Sequence, residues 1–153
     1  MVKIIDAHYA SLLLYARQWD AAAAEDIVQE ALLKLLRVSH KKGCPENVAA
    51  WLFQVVRNGA VSHFRKTSRR EKHERNLAAA RITWSEPGQE AAVESAELAE
   101  KLDQLPLDQR ELVIARIWGG LSFDEMATLT GMSRTTVFRK YNQAIETLKE
   151  RFG

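Results

Sequence analysis

Apolar positions recur at helical spacing along most of the chain, and no alternating strand pattern or hairpin turn interrupts them. The clearest stripe is Ile27, Val28, Ala31, Leu32, Leu35 and Leu36, which fall at i, i+1, i+4, i+5, i+8 and i+9 and predict a helix over Ala22–Val38. A helix over Ala7–Trp19 precedes it. The segment Ser39–Asn47 (SHKKGCPEN) contains Gly43 and Pro45, two helix breakers, and reads as a loop. A third helix is expected over Val48–Arg70, burying Val48, Trp51, Leu52, Val55 and Val56. Three antiparallel helices of this size can enclose a core, so residues 1–72 are read as a first domain. Residues 73–95 lose periodicity around Pro87–Gly88 and swing from basic to acidic, as a linker that is helical only near its ends would. Helices over Ala96–Leu105 and Leu107–Trp118 follow, separated by Pro106 and closed by Gly119–Gly120. The fold class is therefore all-α: two small helical domains joined by a linker, with the second domain over residues 96–153.

The second domain ends in the most specific pattern of the chain, Leu121–Tyr141. Ser122 and Glu125 have capping-box spacing, which starts a helix near Phe123. Ala127 is small where two helices must cross, and Gly131 permits a sharp turn. Ser133 stands where the next helix needs an N-cap, and Met126, Leu129, Met132 and Val137 are spaced to share a core. These features describe a helix-turn-helix whose last helix runs to about Arg151. Its outer face carries Arg134, Thr135, Arg139, Lys140, Asn142 and Gln143, side chains that bond phosphates and base edges.

The net charge of +2 hides an uneven distribution. Arg57–Arg75 holds seven Lys/Arg against two Glu, while Glu86–Glu111 holds eight acids against Lys101 and Arg110. This acidic stretch is expected to pack near the basic DNA-binding surfaces of the free protein and to limit non-specific binding. Cys44 is the sole cysteine, which excludes an intrachain disulfide and fits a reducing cytoplasm. With His40 it makes two candidate ligands, too few for a zinc site, so no metal is expected. No apolar run approaches the roughly 20 residues that span a bilayer, and the N-terminus lacks the pattern of a secretory signal, so membrane insertion is not expected.

The second helix turns Asp26, Gln29, Glu30, Leu33 and Arg37 to one face, a charged rim around an exposed leucine, as protein-docking surfaces have. The third helix carries Arg57, Asn58, Ser62, His63, Arg65 and Lys66. Its basic end suits phosphates. Trp51, Phe53 and Phe64 are candidate stacking surfaces for unpaired bases; Trp51 and Phe64 are alternatively core residues, and Trp51 fits the core stripe better. No phosphate-cradling loop, metal cluster or nucleophile–base grouping is present. Asp26 and Glu30 form a carboxylate pair on an open face without a cleft to serve as an acid/base site. Nothing here predicts an enzyme or a cofactor.

Three segments, AEDIVQEALLKLLR (24–37), NVAAWLFQVVRNGAVSHFRK (47–66) and LDQLPLDQRELVIARIWGGLSFDEMATLTGMSRTTVFRKYNQAIETLK (102–149), together resemble the bacterial extracytoplasmic-function sigma factors of the sigma-70 family. The resemblance implies an alternative sigma factor that directs core RNA polymerase to promoters, opens the −10 element and reads the −35 element. It implies that Asp26, Gln29 and Glu30, with Leu33 and Arg37, dock on the β′ clamp helices, and that the β flap is a further polymerase surface bound. It places Arg57, Asn58, Ser62, His63, Arg65 and Lys66 at the −10 element, with the Ser39–Asn47 loop capturing a flipped base. It places Arg134, Thr135, Phe138, Arg139, Lys140, Asn142 and Gln143 at the −35 element. An anti-sigma factor and a cytoplasmic location are further expectations. Ser62 stands where the family usually has Asp or Asn. Phe138 replaces a customary cation and is expected either to contact a thymine methyl or to pack against a neighbour. The alternative is a sigma-like DNA-binding regulator, or a protein bound by an anti-sigma factor, that does not itself support initiation.

Overall fold

The computed structural model of the chain describes residues 2–71 and 100–152, and every regular element among them is helical. The helices are α1 (Val2–Arg17), α2 (Ala24–Lys42), α3 (Val48–Glu71), α4 (Leu107–Val113), α5 (Phe123–Thr130) and α6 (Arg134–Phe152). A π-helical turn, Ile114–Trp118, continues α4. The linker expected over 73–95, and the start of the helix expected over 96–105, lie outside the described residues; of that helix, residues 100–103 are helical.

Helix α1 begins at Val2 and ends at Arg17 where Ala7–Trp19 was expected, and both boundaries of α2 differ from expectation for identifiable reasons. Helix α2 starts two residues late because the Asp20 carboxylate accepts the backbone N–H groups of Ala22 and Ala23, at 3.0 and 3.2 Å, and holds that segment as a turn. It also runs past Val38 through His40, Lys41 and Lys42. Their positive charge suits the carbonyl end of a helix, and Gly43 stops it at φ +86° with its N–H on the Ser39 carbonyl. The connecting loop is therefore only 43–47. In the helix-turn-helix the pattern holds in detail. Ser122 Oγ accepts from Glu125 N while Glu125 Oε1 accepts from Ser122 N, Gly131 sits at φ +76°, and Ser133 Oγ caps Thr136 N.

Helices α1, α2 and α3 pack on one another, and α4 and α5 both pack on α6. These groups do not keep separate cores. The buried residues form one cluster, from Leu12, Tyr15, Val28, Leu35, Leu52, Phe53 and Val56 through to Leu112, Ile114, Leu121, Met126 and Val137. Helix α1 meets the π turn and α3 meets α5. Phe53, a candidate stacking ring, is fully buried at this junction, so it cannot meet a base. Its ring lies where Gly119 makes room: a Cβ on Gly119 would stand 2.7 Å from the Phe53 ring. Trp51, Val48 and Val55 are only half-buried. Leu36, expected in the core stripe, is 44% exposed because α1 and α3 cover α2 on its Val28–Leu35 side.

Candidate nucleic-acid and partner interface

On α2, Asp26, Gln29, Glu30, Leu33 and Arg37 are all exposed. Leu33, 47% exposed, has Leu36 one turn further along, so the apolar centre of this face is two leucines. Leu36 was missed because hydrophobic periodicity alone assigns it to the core.

On α3, Arg57, Asn58, Ser62, Arg65 and Lys66 line one shallow groove of about 410 Å³. Gln54 Nε2 donates to Asn58 Oδ1 at 3.0 Å, which orients the Asn58 amide. His63 leaves this groove: its Nδ1 lies 2.7 Å from Asp20 Oδ2. With Asn58 and Ser62, it lines a second cleft, about 520 Å³, whose other wall is Asp26 and Glu30 of α2. The exposed face of α2 and the polar face of α3 therefore adjoin along the α2–α3 seam. Phe64 is exposed and remains available for stacking. The loop before α3 ends at Asn47, whose Oδ1 caps Ala50 N and whose side-chain amide donates to Glu125 of α5.

Arg57 is the most constrained member of the set. Its Nε and Nη2 donate to the two oxygens of Glu111, at 2.7 and 3.3 Å, and its guanidinium lies 5.9 Å from the Trp19 ring centre. Tyr15 Oη donates to Glu111 Oε1 at 2.8 Å. Glu111 is the one charged side chain among the described residues that is buried, 4% exposed. Its hydrogen bond holds the guanidinium above its ordinary pKa, while burial first, and then the neighbouring carboxylate, push the Tyr15 phenol well above its own. The sequence carried a signal for this carboxylate. Leu107, Glu111, Ile114, Ala115 and Trp118 fall at i, i+4, i+7, i+8 and i+11, so Glu111 occupies a core position of an apolar stripe.

On α6, Arg134, Thr135, Phe138, Arg139, Asn142 and Gln143 are exposed. Lys140 instead turns to Asp108 of α4, with its Nζ 2.5 Å from Oδ2, and this bond lowers the Asp108 pKa. Arg134 pairs with Asp124 at 3.5 Å, but both are exposed, so the pair is weak and yields readily to a phosphate. Phe138 and Phe123 meet in a T-shaped contact, and Phe123 also contacts Tyr141 and carries the Arg116 guanidinium 4.6 Å above its ring centre. Among the described residues no cluster of His, Cys, Asp or Glu is arranged to hold a metal ion, and no helix is long and apolar enough to cross a membrane.

Residues 4–70 match the family described as Sigma-70 region 2, and residues 95–148 match Sigma-70, region 4. The chain is 37% identical over 125 residues to the ECF RNA polymerase sigma factor EcfG of Rhodopseudomonas palustris, covering 82% of this chain and 68% of that one. It is 31% identical to the ECF RNA polymerase sigma factor SigL of Mycobacterium tuberculosis, covering 97% and 86%. Among solved structures, the sigma factor RpoE of Bartonella quintana, in complex with the anti-sigma factor NepR, superposes with a TM-score of 0.78. That match covers 97% of this chain and 93% of that one at 25% identity.

Proposed function

The chain belongs to the extracytoplasmic-function sigma factors of the sigma-70 family, and we propose that its two halves divide the promoter between them. It is an alternative sigma factor. Helix α2 docks on the β′ clamp helices of core polymerase through Leu33 and Leu36, inside the rim of Asp26, Gln29, Glu30 and Arg37. Helix α3 receives the opened −10 strand. Arg57, Arg65 and Lys66 neutralise phosphates, which fixes the strand without reading it, while Asn58 and Ser62 meet a base edge. Extracting a base costs a few kcal/mol, so several such contacts suffice to hold it out of the stack. Helix α6 reads the −35 element in duplex form, and its domain meets the β flap. The protein makes and breaks no bonds; the polymerase does the chemistry. An anti-sigma factor is the expected antagonist, and the cytoplasm the place of action.

The observation that carries this reading is the α3 groove, where Arg57, Asn58, Ser62, Arg65 and Lys66 converge beside the α2 docking face. The docking assignment is tested by Asp26→Ala/Glu30→Ala. Both residues are exposed, so the fold should survive, and affinity for core polymerase should fall at least tenfold with duplex −35 binding unchanged. Unchanged affinity for core would remove α2 as the docking helix.

A further inference from the structure

Two parts of the proposed −10 machinery are held by glutamates of the second half of the chain. Arg57 is bonded at both ends of its fork to Glu111, and Asn47, at the end of the loop before α3, is bonded to Glu125. The halves also meet through Ser11 Oγ, which donates to the Trp118 carbonyl at 3.1 Å, and through the Phe53 ring against Gly119. We propose that Glu111 is an internal stand-in for a DNA phosphate, holding Arg57 in the free protein so that it and the −10 strand compete for one guanidinium. This rests on the assignment of Arg57 to the −10 strand.

Chemistry favours the competition. A guanidinium presents the same planar fork to a carboxylate as to a phosphate, so one ligand replaces the other without reshaping the donor. The energetics favour a switch over a permanent brace. A buried ion pair roughly breaks even against the hydration it gives up, so it fixes register more than it stabilises. Opening the halves, which also uncovers the apolar contact of Phe53 with Gly119, lets water reach both Glu111 and Arg57, so the Coulombic loss of the pair itself is largely offset by hydration. The Tyr15 hydroxyl tips the balance towards closure by satisfying Glu111 a second way. Asp108, one turn before Glu111, holds Lys140 of α6, but both belong to the second half and that pair survives opening.

The test uses the full chain, with a donor and an acceptor dye on the native, exposed Cys44 and on Glu150→Cys near the end of α6. Wild type should show one population, with a single dye separation. Glu111→Gln, which keeps the shape and removes the charge, should add a second population with a larger dye separation than wild type. It should also tighten binding of a fluorescent oligothymidine by about tenfold, the scale of one lost charged hydrogen bond. Adding Arg57→Ala should cancel that gain. Tyr15→Phe, which keeps the core ring, should shift both readouts the same way by a smaller factor, and it carries the test if Glu111→Gln does not fold. Unchanged distance and affinity would overturn the proposal. So would a gain in affinity that survives Arg57→Ala, since the lost negative charge alone would then explain it. An Arg57→Ala holoenzyme that opens promoters like wild type would instead overturn the assignment on which the competition rests.

Discussion

The Phe138 ring meets Phe123 edge-on, with centroids 5.3 Å apart and planes at 68°, yet Phe138 stays 54% exposed on the outer face of α6. Packing is thus compatible with the proposed reading role: part of the ring is braced on α5, and the rest stays exposed on the face that carries Thr135, Arg139 and Asn142. A braced apolar knob in a polar reading face suits the C5-methyl of thymine. Replacing thymine by deoxyuridine, one −35 position at a time, should weaken duplex binding several-fold at one position. Phe138→Ala should abolish that difference while leaving the other positions as they were. Sensitivity to deoxyuridine that persists in Phe138→Ala would assign the methyl contact elsewhere.

Gly131 turns the chain between α5 and α6 at φ +76°, with open space where a Cβ would go. Gly131→Ala therefore meets backbone strain and no clash, at a cost of about 1–2 kcal/mol. The expected result is a lower Tm by a few degrees with −35 specificity retained. A Tm equal to wild type would mean that the turn tolerates a side chain.

The Lys140 bond depresses the Asp108 pKa, so this carboxylate is charged in the fold at a pH where it would already take up a proton in the unfolded chain. Its contribution to stability is present above the ordinary carboxylate range and is lost as pH falls through the lowered value. Asp108 is partly exposed, so the effect is modest. A profile of Tm against pH should fall less steeply on the acid side for Asp108→Asn than for wild type, and the two should converge at the lowest pH. Parallel profiles would show that the bond does not matter in solution.

Lys66 is exposed at the basic end of the α3 groove and is expected to meet a phosphate. Lys66→Ala should weaken binding of single strands irrespective of sequence and reduce the salt slope by about 0.7. A loss confined to one sequence would mark Lys66 as a base reader instead.

The helix-turn-helix was legible residue by residue because its signals are local: a capping box spans Ser122–Glu125, and one glycine sets the turn. The exposed faces of α2 and α6 were legible for a similar reason, since helical spacing alone sorts Asp26, Gln29 and Glu30 from Val28 and Ala31. What escaped depends on distant packing. Phe53 and Leu36 obey the same periodicity as their neighbours, and only the placement of α1 and the π turn decides which is covered. The partner of Arg57 lies 54 positions away and that of Asn47 lies 78 away. Glu111 was counted as one more acid in a charged stretch, although its helical register already set it among apolar residues. Within this stretch Glu111 pairs with Arg57 and Asp108 with Lys140, two side chains proposed to meet DNA; residues 86–99 lie outside the described ones.

The central claim, that this chain opens promoters for core polymerase through α3, is tested most directly by transcription. The purified protein is mixed with bacterial core polymerase and a library of promoter fragments, and transcripts are sequenced. The account predicts transcripts from a subset of fragments sharing a −35 and a −10 element, lost with Asp26→Ala/Glu30→Ala and strongly reduced with Asn58→Ala. Tight binding to core with no transcript from any fragment would contradict it.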